Sequence, residues 1–330
     1  VIPAVPLAGG PIFHPTALQA NATGSLLFAS GQTSQAVYPP AYDSAVMPIE
    51  ISNGVLTLGA PLVVTGGNST GVAVDPQGDV VFTANTAPTG AGQLAAFTYA
   101  SGTGALTAAS SVGQGTTGGP VSLAIDPTGT FAYCVDTTDS TVQVFGVDTG
   151  GFVAGFTSSP VVNPAAPNCV ILDPAGQCLY TGNANGTVSA YSIPTPGHLT
   201  YVSTTSVEPA HSILTAKVQS LAIDPTGSYI VTANGTSDDV SMLSVSRSST
   251  APAIVLTLTG TPYSIASATA AVAPVSVTYN ANGMTVYVAN SAANSISALI
   301  VNSTGLAPLP GSPFALPAGD TTPCAVAVSQ

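Results

Sequence analysis

The sequence predicts an all-β repeat protein, and three observations carry that prediction. A short unit recurs along the 330 residues: an apolar strand, the turn Asp-Pro-x-Gly, and a second apolar strand. Its turns start at Asp75, Asp126, Asp173 and Asp224, with Asn in place of Asp at Asn21 and Asn280, so that successive turns lie 54, 51, 47, 51 and 56 residues apart. The flanking runs alternate with a period of two, as in Leu123/Ile125 and Phe131/Tyr133, which is the strand period. Four strands per unit at this spacing specify a β-propeller. We expect the seven-bladed type: six complete four-stranded blades and an incomplete closing blade formed by the termini, in a single domain spanning 1–330.

The turn chemistry explains the repeat. The Asp or Asn side chain accepts from backbone N–H groups two or three residues on, Pro pre-sets φ, and Gly supplies the left-handed conformation that closes the hairpin. No helix follows the Gly, so the motif is not a phosphate loop.

Taken in order, residues 1–14 resemble Leu306–Leu316 and read as an outer strand whose blade lies elsewhere. The first unit covers about 15–66, with strands near Ala17–Ala20, Leu26–Ser30, Val46–Ile51 and Leu56–Val64 and an insertion at Val37–Tyr42. Five further units follow to about residue 319. Innermost strands are expected near 18–20, 72–74, 122–125, 169–172, 219–223, 275–278 and 324–328. The last opens a seventh unit at Thr322–Gln330, where the chain stops.

Composition narrows the class. Only 5% of residues are charged, against roughly 25% in ordinary soluble proteins, and 45% are apolar. Lys217 and Arg247 are the two strong cations, against 14 acidic residues. A net charge of −12 argues against nucleic acid, which needs a basic footprint. No apolar run reaches the roughly 18 residues of a membrane-spanning helix, so membrane insertion is not expected. The start at Val1 without a leader pattern reads as a mature form or an artificial start. Scarce Lys and abundant Ser, Thr and Asn point to an extracellular or cell-surface location. Five sequons, at Asn21, Asn68, Asn185, Asn234 and Asn302, are candidate glycosylation sites.

The runs VAVDPxG…VFTAN, LAIDPTG…YCVD, LAIDPTG…VTAN and VTYNANG…VYVAN resemble YVTN-type repeats and the lactonase-family seven-bladed propellers, which include bacterial phosphogluconolactonases. The resemblance covers nearly the whole chain. It implies a central channel into which the starts of the innermost strands bring His, Arg and acidic side chains. Here those starts read Gly119-Pro120-Val121, Pro167-Asn168-Cys169, Val218-Gln219-Ser220, Ala273-Pro274-Val275 and Thr322-Pro323-Cys324. Only His14 is ionisable at such a position, and it is the one weak catalytic candidate. Neither strong cation is expected at a strand start, where a phosphosugar would want one.

Other constellations are thin. His198 and His211 sit in a turn and a loop, and no His pair has zinc-ligand spacing. No Gly-x-Ser-x-Gly elbow occurs. The repeated turn Asp residues are turn acceptors; Asp238-Asp239 and Asp136…Asp139 are the better calcium candidates. No metal or other cofactor is expected. With the turn as a ruler, Cys134 and Cys178 point to opposite faces of neighbouring blades, so a Cys134–Cys178 bridge is geometrically open; buried free thiols are the competing reading.

The expectation drawn from all this is a secreted, non-catalytic, self-associating structural protein of filament type. Ile2, Val5 and Leu7 at one end and Cys324, Val326 and Val328 at the other would form unpaired edges at the subunit contact. The alternative is a lactonase-like hydrolase acting on a sugar lactone in the channel.

Overall fold

The computed structural model describes residues 5–6, 12–34, 42–64, 67–86, 92–109, 114–116, 118–157, 161–163, 165–209, 216–248, 254–265, 271–317 and 322–328. Ile2, Leu7, His211 and the 37–41 part of the insertion lie outside these residues. The chain forms two compact units, in the main 2–160 and 161–328. Every helix or strand among the described residues is a strand.

The first unit holds three antiparallel sheets, each an inner-to-outer meander. The first sheet runs Ile12–Ala20, Leu26–Ser34, Tyr42–Ser52 and Val55–Leu58. The second runs Asn68–Val74, Val80–Thr86, Gln93–Tyr99 and Leu106–Ala108. The third runs Pro120–Ile125, Phe131–Asp136, Thr141–Asp148 and Gly151–Thr157.

The second unit repeats the plan. Its fourth sheet runs Pro167–Leu172, Cys178–Asn183, Thr187–Thr195 and His198–Ser206. The fifth runs Val218–Ile223, Tyr229–Asn234, Asp239–Arg247 and Ile254–Leu258. The sixth runs Pro274–Tyr279, Thr285–Asn290, Ser295–Asn302 and Gly305–Pro308. All six complete blades are therefore present, with innermost strands where the repeat register places them.

Outer strands are short and often broken. Val55–Leu58 is followed by Leu62–Val64 on the same neighbour, and Ile254–Leu258 by Tyr263–Ser264. Pro61 and Pro262 stand in these breaks, and Pro cannot donate to a ladder.

Apolar faces of consecutive sheets pack together within each unit. Phe28, Val46, Val81 and Phe97 join the first sheet to the second. Phe82, Leu94, Cys134 and Phe145 join the second to the third. Tyr180, Val188, Ile230 and Leu243 join the fourth to the fifth, and Val231, Met242, Val286 and Leu299 the fifth to the sixth. Burying side chains of this size stabilises by about 1.5–3 kcal/mol each.

The hairpins follow the repeat, with one refinement. At Asp126, Asp173 and Asp224 one carboxylate oxygen accepts from the N–H groups four and five residues on, not only from nearer ones: Thr130 and Phe131 at 2.7 and 2.8 Å, Gln177 and Cys178 at 2.6 Å each, Ser228 and Tyr229 at 2.7 Å each. The bond thus spans the whole turn and ties the start of the second strand to the end of the first. Asn280 does the same to Met284 and Thr285 at 3.1 Å. Gly129 takes φ 67°, which an L side chain resists. Asp75 departs: its carboxylate holds Gln77 N at 2.9 Å, and burial pushes its pKa up.

Both terminal expectations are corrected. Val5–Pro6 pairs antiparallel with Ile12–Phe13 of the first sheet. It covers part of that inner strand's free edge within the chain instead of completing a distant blade. Cys324–Val328 forms no strand and is half-buried. The backbone N–H of Val326 donates to Ser276 Oγ of the sixth sheet at 3.2 Å, as Val277 N–H does to Ser220 Oγ. The inner-strand position is therefore occupied in register.

Candidate functional site

The second strands of the last three sheets end in Asn183, Asn234 and Asn290, all buried. Each amide N–H₂ ties two polar side chains at the start of the third strand. Asn183 holds Thr187 Oγ1 and Ser189 Oγ at 2.9 Å each, and Asn290 holds Ser295 Oγ at 3.1 Å and Ser297 Oγ at 2.8 Å. In the fifth sheet the first of these positions carries an acid. Asn234 donates to Asp239 Oδ1 at 2.6 Å and to Ser241 Oγ at 2.8 Å.

That one departure assembles a second carboxyl. Asp239 is 5% exposed; its carboxyl accepts from Asn234 at 2.6 Å and has Glu208 and Ser237 beside it. Glu208 follows the outer strand of the fourth sheet. Its N–H donates to Ser206 Oγ at 3.1 Å. The preceding Val207 is fixed twice, by its N–H to Gly186 O at 3.1 Å and by its carbonyl accepting from Ser241 Oγ at 2.9 Å. Burial raises the Asp239 carboxyl above the usual carboxylate range, against the hydrogen bonds that lower it, and the Asp238 charge adds to the rise. Two neighbouring carboxyls share a proton more readily than both ionise. The pair therefore offers a base and an acid together.

The surrounding backbone is tightly held. Asp238 takes φ 53°, and its carboxylate accepts from Val272 and Ala273 N–H at 3.1 and 2.7 Å, fixing the approach to the sixth sheet's inner strand. Gly235 N–H donates to the carbonyl of Lys217 at 3.0 Å. A Cβ at Gly235 would stand 2.7 Å from Gln219 Cγ, so glycine is what allows that side chain to lie over the turn. Lys217 directly precedes the inner strand Val218–Ile223. The strand begins at Val218, one residue beyond Lys217, where the sequence reading placed its start.

The other strong cation is committed elsewhere. Arg247, at the end of the third strand of the fifth sheet, bridges to Asp173 of the neighbouring hairpin at 3.0 Å; the carboxylate is 1% exposed and the guanidinium 33%. Tyr180 and Cys178 lie beside it.

The residues singled out from sequence fall as follows. His14 is exposed on the first sheet's inner strand, opposite Gln32. His198 is exposed at the start of an outer strand. Neither stands in the first unit's or the second unit's buried polar clusters described here. Asp136 accepts from Gly119 and Asp139 N–H at 3.0 and 3.1 Å. Among the described residues no group of three or more His, Cys, Asp or Glu is gathered around a metal position.

The Cys134–Cys178 bridge is corrected: all four cysteines are free thiols. Cys134 packs with the second sheet and Cys178 with the fifth. Burial pushes the Cys169 thiol up to about 12, as it raises the others. Two sequons are corrected as well. Asn234 is 0% exposed and Asn21 7%, and both amides are spent inside the fold.

The Glu208–Asp239 pair escaped the sequence reading because its members come from a connection and a turn far apart in the chain. The signal was available in the repeat itself: an acid at the position that is Thr141, Thr187 and Ser295 in the sister sheets.

Comparison with known proteins gives one family model and several solved structures of like fold. The family model Lactonase, 7-bladed beta-propeller, matches residues 155–265. No curated protein matches the chain in sequence. Among solved structures, the periplasmic gluconolactonase of Pseudomonas aeruginosa superposes with TM-score 0.73 at 17% identity, covering 91% of this chain and 86% of that one. A candidate 6-phosphogluconolactonase of Bacteroides fragilis gives 0.71 at 19% identity, covering 94% and 86%. The Cps50 (Swd1) propeller domain of Myceliophteria thermophila gives 0.64 at 12% identity, covering 93% and 88%. These findings overturn the expectation of a non-catalytic, self-assembling structural protein. The chain has the fold of the lactonase-family β-propellers, and over 155–265, the stretch that carries Glu208 and Asp239, its sequence matches that family's model.

Proposed function

We propose that the chain is a lactone hydrolase whose proton transfers run through the Glu208–Asp239 carboxyl pair. The observation that carries the reading is this pair, Asp239 buried and Glu208 half-buried beside it, within the stretch matched by the lactonase model. The gluconolactonase neighbours support the substrate class.

The step balances with water as the only co-reactant. The ionised carboxyl accepts a proton as water attacks the lactone carbonyl and a C–O bond forms. The ring C–O bond then breaks, and the protonated carboxyl donates its proton to the departing ring oxygen, giving a hydroxy acid. Such paired proton transfer accelerates reactions by roughly 10²–10⁴-fold.

Charge selects among lactones. Glu208, Asp238 and Asp239 outweigh Lys217 around the site, and Arg247 is engaged by Asp173. A neutral sugar lactone fits this better than a phosphorylated one, whose dianion would face like charge. Acid release from glucono-δ-lactone, followed by pH-stat, tests the reading. The expected result is turnover above the spontaneous rate, lowered at least about 100-fold in Glu208→Gln and Asp239→Asn, with slower turnover of the 6-phospho form. Wild-type protein indistinguishable from buffer across neutral sugar lactones would overturn it.

The reading includes export from the cytoplasm. The periplasmic neighbour and the Lys-poor, Ser/Thr/Asn-rich composition support it. An extracellular or cell-surface site is its finer form, tested by fractionation of the source cells.

A further inference from the structure

The five sequons, equal in sequence, are sorted by the structure into three whose side chains are consumed and two that are presented. At Asn21 the amide N–H₂ donates to Thr23 Oγ1 at 3.0 Å and to Ser25 Oγ at 3.3 Å, while its Oδ1 accepts Leu26 N–H at 3.0 Å. At Asn234 it donates to Asp239 and Ser241 in the interior. Asn68 opens a strand, half-buried, and its sequon hydroxyl at Thr70 is spent on the carbonyls of Pro120 and Ala84 at 3.0 and 3.3 Å.

Asn185 and Asn302 differ in the same way from all three. Both are exposed; Asn185 stands in a turn, and Asn302 ends the strand Ser295–Asn302 just before one. In each, the sequon Thr two residues on donates its hydroxyl to the Asn Oδ1 at 2.6 Å. At Asn302, Thr304 N–H adds a second bond to the same oxygen at 3.0 Å. The carbonyl oxygen is thus turned toward the chain. The amide N–H₂ then lies on the outer side of the turn, where a bulky substituent meets no packed neighbour.

We propose that Asn185 and Asn302 are the N-glycan acceptors of this chain. The co-reactant is a lipid-diphosphate-linked oligosaccharide. Asn Nδ2 forms a bond to its anomeric carbon, the bond from that carbon to the diphosphate oxygen breaks, the diphosphate leaves with the electron pair, and the amide gives up one proton to the transferase. At Asn21 or Asn234 the same graft would displace a buried amide from its partners, and a chain so modified would not reach this fold.

The scarcity of cations makes the test simple. Trypsin can cut only after Lys217 and Arg247. It leaves fragments 1–217, 218–247 and 248–330, which hold Asn185, Asn234 and Asn302 respectively, with Asn21 and Asn68 also in the first. The chain is exported from a host whose oligosaccharyltransferase reads Asn-x-Ser/Thr, and the soluble, folded fraction is digested and weighed by mass spectrometry. The expected result is glycan mass on the first and third fragments and none on the second. Asn185→Gln is expected to clear the first fragment and Asn302→Gln the third. Three results would overturn the proposal: glycan on 218–247, glycan surviving on its own fragment in either variant, or a bare first or third fragment in the parent chain. Lactone turnover of the enzymatically deglycosylated protein is read separately, so failure here leaves the hydrolase reading standing.

Discussion

Two edges of the same sheets use buried acids for opposite ends. At the hairpin edge, Asp126, Asp173 and Asp224 are each almost fully buried, and every one is ringed by backbone N–H donors. At the edge where the inner strands start, Asp239 is equally buried but faces a second carboxyl, an amide and a hydroxyl. Burial alone therefore says little about an acid's role. The partners decide whether the carboxylate is a fixed structural charge or a group ready to exchange protons.

The sharpest way to break this comparison is at the hairpin. Asp224→Ala removes an acceptor of Ser228, Tyr229 and Thr226 N–H, and should cost on the order of 3 kcal/mol in urea unfolding. A loss below about 1 kcal/mol would mean that water replaces the carboxylate and that the hairpin acids are not structural. Arg247→Gln comes next. It leaves the Asp173 carboxylate with its two N–H donors but without its cation; since Arg247 is one-third exposed, solvent screening limits the expected loss to about 1–2 kcal/mol, growing smaller in high salt.

The smallest expected effect concerns Asp239 and is read as a pH dependence. Its folded pKa is raised above the unfolded value of 3.8. The folded state therefore binds its proton more tightly, and the associated stability is present below the unfolded pKa and is lost as pH rises through the folded pKa. Asp239→Asn should flatten that part of the stability profile while leaving the protein folded. A variant whose stability falls with pH as the parent's does would show that Asp239 is not the group responsible.

The two edges also differ in how far the sequence reveals them. A hairpin acid and the N–H groups it binds lie within five residues, so Asp-Pro-x-Gly contains its own explanation. The innermost strands were legible for the same reason, because each adjoins its turn. The carboxyl pair depends on which connection passes over which turn, because Glu208 and Asp239 stand 31 residues apart in the chain. The terminal strands misled in another way. Val5–Pro6 has an outer-strand look, yet it settles on the nearest free edge, that of Ile12–Phe13. Cys134 and Cys178 do point to opposite faces, as the turn ruler implies, but alternation alone does not say which neighbouring sheet each face meets.

The meander order of the sheets has a kinetic consequence. In each of the six sheets the four main strands pair in the order in which they are made. Each ladder can close by a short hairpin search, on the order of microseconds, before any distant segment arrives. Such local closure gives low contact order within a sheet, while stacking one sheet on the next must wait for both. An unfolding experiment with hydrogen exchange should accordingly show protection shared along each sheet, with the Asp-Pro-x-Gly hairpins among the last amides to open.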